Sequence, residues 1–152
     1  MSKINYTWEQ FDKACEKIAQ WAQGLNFTGI FGIPRNGLVV AVRLSHLLGI
    51  PLIDDHHDID GKDTLVVDDL VKTGETVSIL EDHIGDFMIA TLFWSGARNE
   101  PNYFCHKTKD EIIFPWERKA DLIDAHPTAR AIAMATQANL GGSIRVGKKG
   151  EA

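Results

Sequence analysis

Between Phe27 and Trp94 the chain alternates short apolar runs with helical stretches, and this alternation constrains its fold most. Phe27–Ile33, Pro51–Ile53, Thr64–Val67 and Asp86–Trp94 read as short strands. Between them, Val40, Leu44, Leu47 and Leu48 recur at helical steps before Gly49, and Val77, Leu80 and Ile84 mark a second helix. Parallel strands need crossovers of this kind. The expected fold is therefore α/β, with a mainly parallel sheet of about five strands and helices on both faces. Ligands in such sheets bind beyond the carboxyl ends of the strands. The polar turns at 34–37 and 68–76 fall at those ends.

The flanks are simpler. Thr7-Trp8-Glu9-Gln10 reads as a capping box, with Trp8, Phe11, Cys15, Ile18 and Ala22 forming one apolar stripe and Gly24 a plausible stop. Cys15 in that stripe reads as core rather than as a reactive thiol. Glu111–Phe114 is a short apolar run ended by Pro115, and Thr128–Asn139 reads as an Ala-rich helix. The 152 residues suit one domain spanning 1–152, large enough to need neither disulfide nor metal for its core. A hydrophobic share of 44% and a net charge of −5 exclude general disorder. Cys15 and Cys105 form no CxxC pair, which points to a reducing, cytoplasmic setting without structural zinc. No membrane span is expected, since no apolar run approaches ~20 residues, and no secretory signal, since Met1-Ser2-Lys3-Ile4-Asn5 has no apolar h-region. A pI near 5.6 argues against broad nucleic-acid binding, although Arg130, Arg145, Lys148 and Lys149 cluster late.

Val66-Val67-Asp68-Asp69-Leu70-Val71-Lys72-Thr73-Gly74-Glu75-Thr76 carries the chemistry. An apolar strand delivers two adjacent carboxylates, and a turn with two hydroxyls and a glycine then opens a helix. Backbone N–H groups at such a helix start favour a phosphate. The carboxylates suit sugar hydroxyls or Mg²⁺. A sugar phosphate with a metal-bound diphosphate fits both halves.

This run resembles the signature of the type I phosphoribosyltransferases, which hold phosphoribosyl diphosphate (PRPP). The resemblance implies that Asp68 and Asp69 hold the ribose hydroxyls, directly or through Mg²⁺. Lys72, Thr73, Gly74, Glu75 (through its amide) and Thr76 would form the 5′-phosphate turn. Gly32-Ile33-Pro34-Arg35-Asn36-Gly37-Leu38 resembles the family's diphosphate loop, with Asn36 where glycine is usual. Arg35, Asn36 and Gly37 would hold the diphosphate, with a cis peptide expected near Pro34–Arg35. Ile112-Ile113-Phe114-Pro115-Trp116-Glu117 resembles the base-flanking segment of short xanthine–guanine enzymes, so Ile112, Ile113 and Phe114 would flank the base. A small hood from residues near both termini is implied as well. The implied activity is phosphoribosyl transfer from PRPP to a nucleobase, a 6-oxopurine above all, with Mg²⁺ as cofactor and Asp68, Asp69 and Arg35 as catalytic residues. The expected partners are small-molecule substrates and further copies of the chain in a homo-oligomer.

Two positions depart from the pattern. Lys72 stands where hypoxanthine and guanine enzymes carry an aspartate near purine N7. Trp94-Ser95-Gly96 stands where a lysine usually meets purine O6. Lys72 either donates to the base, favouring an acidic base such as xanthine, or faces solvent or a phosphate oxygen. Trp94 is either a base-stacking platform or core. A non-catalytic nucleotide-binding regulator of the same fold, or an enzyme for another base, stays open at this level. Asp54-Asp55-His56-His57-Asp58 reads as a solvated lid rather than a metal site, because adjacent histidines are not spaced as ligands on one helix face.

Overall fold

In the computed structural model, which describes residues 2–117, the first helix begins as its sequence requires. Thr7 Oγ1 accepts from the Gln10 amide at 3.1 Å, and Gln10 Oε1 accepts from the Thr7 amide at 2.9 Å. Helix α1 (Trp8–Gln23) buries Phe11, Ala14, Cys15, Ile18, Ala19 and Ala22. Cys15 is wholly buried, and burial first of all pushes its thiol up to about 12, so it belongs to the core.

Strand β1 (Lys3–Asn5) precedes α1, and β2 (Gly29–Gly32) follows it. Helix α2 (Gly37–Leu48), β3 (Thr64–Val71), helix α3 (Glu75–Ile84) and β4 (Met88–Trp94) come next, then β5 (Tyr103–Lys107) and β6 (Glu111–Ile113). β2-β3-β4-β5 form one sheet in that order, and every neighbouring pair is parallel. β1 and β6 form a separate parallel pair. The fold is that expected: parallel sheets flanked by helices.

Details differ for local reasons. Pro51–Ile53 forms only a parallel bridge, Leu52 to Ile30, beside the edge of β2 away from β3. Three residues beginning with a proline, which has no N–H, offer little to a ladder. β1 and β5 leave no signal in the sequence, since three residues carry no period and β5 is a half-exposed edge strand. β3 runs on to Val71 because β4 keeps pairing with it, Asp68 opposite Thr91 and Val71 opposite Trp94. The helix expected at 128–139 and the basic residues from Arg130 onward lie outside the described residues.

The two sheet faces are covered differently. A Cβ on Gly32 would lie 2.5 Å from the Gly37 carbonyl oxygen and 2.8 Å from Ala41 Cβ, so only glycine lets α2 settle there. On the opposite face Val77 of α3 joins Phe31, Ile33, Val66 and Ile89 in a core cluster. From β2 the chain passes through α2 to the outer edge at Leu52. From β3 it passes through α3 to β4 on the inner side. Successive connections thus leave β2 and β3 in opposite directions, which opens a crevice at their carboxyl ends.

Candidate active site

The crevice is a cleft of about 290 Å³ lined by Pro34, Arg35, Asn36, Asp68, Asp69 and Thr76, among others. Two loops distant in sequence meet in it. Asn36 Nδ2 donates to Asp69 Oδ2 at 3.0 Å. A Cβ on Gly37 would lie 2.8 Å from the Val67 carbonyl oxygen and 3.1 Å from Asp68 Oδ1, so glycine is needed for the 34–37 turn to rest on β3. The peptide bond between Pro34 and Arg35 is cis, as the family resemblance implies.

The carboxylates are locally ordered. Asp68 Oδ1 accepts from the Asp69 amide and Asp69 Oδ1 from the Leu70 amide, both at 2.8 Å. Burial, then the neighbouring Asp69, push the Asp68 carboxyl up to about 9. Among the described residues neither aspartate forms an ion pair. A largely buried acidic pair with no counter-cation among the described residues suits a ligand that brings positive charge or hydroxyl donors. Its all-oxygen donor set fits Mg²⁺.

Gly74, at φ +79°, turns the chain from β3 into α3. The amide of Glu75 donates to Thr73 Oγ1 at 3.2 Å. The first turn of α3 keeps N–H groups without intrahelical acceptors, an arrangement suited to an anion.

No family model matches the chain. A xanthine-guanine phosphoribosyltransferase from Idiomarina loihiensis is 28% identical over 143 residues, 78% of this chain and 89% of that protein. A crystal structure of purine phosphoribosyltransferase from Pyrococcus horikoshii Ot3 is 32% identical, covering 78% of this chain and 95% of that one, with a TM-score of 0.70. The chain belongs to the purine phosphoribosyltransferases. A xanthine-guanine-hypoxanthine phosphoribosyltransferase from Helicobacter pylori shares the fold at 20% identity, with a TM-score of 0.65 over 82% of this chain and 99% of that one.

As a phosphoribosyltransferase, the chain is an enzyme, and its two unusual positions gain a structural setting. The Lys72 side chain is exposed and has no hydrogen bond or ion pair among the described residues. Trp94 is 8% exposed and sits in the α3-side core cluster, its ring 5.1 Å from Phe104 and 4.9 Å from Lys107 Nζ. Ile112 and Phe114 are buried, Phe114 edge-on to Tyr6 and Phe93, while Ile113 is half-buried.

One group of residues escaped the sequence reading. The segment after β4 grips the carbonyls of the 72–74 turn in succession. Ser95 Oγ donates to the Lys72 carbonyl, Arg98 Nε to Thr73 at 3.2 Å, and Asn99 Nδ2 to Gly74 at 2.7 Å and to Ser78 Oγ at 2.8 Å. In a trans peptide the carbonyl and the next N–H point oppositely. Holding these carbonyls from one side therefore turns the following amides to the other. Asn99 itself has φ 61°, a conformation asparagine tolerates better than most residues. The only sequence signal was the polar, glycine-containing run Ser95–Glu100, which names no partner.

Proposed function

We propose that this enzyme transfers the 5-phosphoribosyl group of PRPP to a 6-oxopurine, xanthine or guanine, giving a nucleoside 5′-monophosphate and diphosphate. The meeting of the Arg35–Gly37 loop with Asp68 and Asp69, joined by the Asn36–Asp69 bond at 3.0 Å, is the observation that carries this reading. One loop suits a diphosphate, the carboxylates a sugar, and the start of α3 a phosphate. Together they span one phosphorylated sugar diphosphate.

In the reaction a base nitrogen bonds to ribose C1′ while the C1′–oxygen bond to diphosphate breaks, its electron pair leaving with the diphosphate. The sugar gains positive character as the bond breaks. Asp68 and Asp69 hold the ribose hydroxyls, and the negative charge the pair retains lies beside it. Arg35 faces the departing diphosphate with its guanidinium. Asn36 holds the Asp69 carboxylate, and Gly37 lets the loop's amides approach. Thr73, Gly74, Glu75 and Thr76 anchor the 5′-phosphate and so fix C1′ for attack. Asp68 and Asp69 would also hold Mg²⁺, which when bound offsets charge on the diphosphate.

Lys72 and the half-buried Ile113 stand nearest in sequence to the elements that would meet the base. A lysine ammonium has three donors and no acceptor. The base nitrogen that attacks has therefore already lost its proton to solvent, which an acidic base such as xanthine does most readily. The enzyme's partners are then small molecules. The exposed Leu38 and Val42, one turn apart on α2, support assembly of further copies into a homo-oligomer. Among the described residues no helix is long and apolar enough to cross a membrane. The free thiols of Cys15 and Cys105 support a reducing, cytoplasmic setting.

Incubation with PRPP, Mg²⁺ and each of xanthine, guanine, hypoxanthine, adenine and uracil tests the reading. Diphosphate release with xanthine or guanine is expected. Release with adenine or uracil alone would overturn the base assignment.

A further inference from the structure

Adjacent histidines on regular elements diverge, but here a short 3₁₀ turn at His56–Asp58 brings two of them together. The rings of His56 and His57 lie 4.0 Å apart between centroids. Asp55 starts the turn, its Oδ1 accepting from the His57 amide at 2.9 Å and lying 2.8 Å from His57 Nδ1. One donor atom each from Asp55, His56 and His57 lie within 4.8 Å of one another. Ligands held at about 2.1 Å around one tetrahedral ion lie roughly 3.4 Å apart, so a small inward movement closes this set.

A third imidazole, outside that group of three residues, comes from another element. His83, in the last turn of α3, faces His56 edge-on with centroids 6.2 Å apart. Its Nδ1 lies 2.8 Å from the Ile79 carbonyl oxygen, which makes Nδ1 the protonated nitrogen and leaves Nε2 as the acceptor. A backbone carbonyl or carboxylate on the second ring nitrogen is the arrangement that readies histidine for a metal. His56 and His83 also line one apolar cleft of about 290 Å³ that shares Ile33, Pro34 and Thr76 with the catalytic cleft.

We propose that Asp55, His56, His57 and His83 form a site for a divalent transition-metal ion of the Zn²⁺, Co²⁺ or Ni²⁺ type. Imidazole-rich sets select such ions, whereas Mg²⁺ prefers oxygen donors. The ion would tie the 55–58 turn to α3 beside the catalytic cleft. This site is separate from the Asp68–Asp69 pair, and its existence does not depend on the proposed reaction.

Equilibrium dialysis of the full chain against Zn²⁺, with Co²⁺ absorption as a second readout, tests the proposal. One bound equivalent is expected, with visible Co²⁺ bands of a tetrahedral site. His83→Gln should weaken binding about tenfold or more and alter the bands. His56→Gln with His57→Gln should abolish this binding, and Asp68→Asn with Asp69→Asn should leave it intact. Melting curves in chelator, unchanged between the histidine variants and wild type, establish that the variants fold. Absence of binding to wild type, or wild-type binding by the His56→Gln/His57→Gln or the His83→Gln variant, would overturn it.

Discussion

Asp68 shows how burying one carboxyl beside another ties stability to pH. Its unfolded-state carboxyl ionises near 3.8, whereas burial beside Asp69 delays ionisation in the folded chain to about 9. Across that window the folded state holds more protons than the unfolded state, so stability contributed by neutral Asp68 is lost as pH rises. Asp68→Asn keeps the shape and removes the titrating group. Thermal melts should therefore show the variant more stable than wild type at neutral pH, with the gap shrinking toward pH 4, while turnover is lost. A gap that widened toward acid would contradict the assignment. Lys72 is the matching test for the base. Lys72→Asp restores a proton acceptor, and kcat/KM should shift from xanthine toward hypoxanthine and guanine. An unchanged preference would remove Lys72 from base recognition.

At the scale of elements, the 72–76 turn owes its shape to the segment behind it. Asn99→Gly removes two hydrogen bonds, to Gly74 and Ser78, yet tolerates the φ of 61°. Leaving the Gly74 carbonyl without its partner costs about 1–2 kcal/mol, so the KM for PRPP should rise roughly tenfold with a smaller change in kcat. Steady-state kinetics would show it, and an unaltered KM would deny the segment a positioning role. Helix α1 provides the contrast. Thr7→Ala breaks the capping box and should lower stability by about 1 kcal/mol in urea titration, without touching kcat.

For the whole molecule, strong local periodicity was legible and weak periodicity was not. The stripe of α1, the apolar core of β3 and the helix of Val77 and Leu80 each carry their own signal, and the parallel fold follows from their alternation. β1 has three residues and β5 is half-exposed, so neither shows a period, and both are fixed by partners far along the chain. The candidate site divides in the same way. Asp68, Asp69, Thr73 and Gly74 sit in one run that announces itself. The Asn36–Asp69 bond, the fit of Gly37 against Asp68 and the grip of Asn99 on Gly74 join distant segments, which only the tertiary fold reveals. Trp94, ambiguous in sequence, is packed into the core by Phe104 and Val77.

All of this rests on the crevice between β2 and β3 receiving one phosphorylated sugar diphosphate, and calorimetric titration of the full chain with PRPP and Mg²⁺ tests that most directly. Saturable heat with one PRPP per chain, lost in the folded Asp68→Asn/Asp69→Asn variant, is the predicted result. No heat with wild type, or equal binding by the double variant, would contradict it.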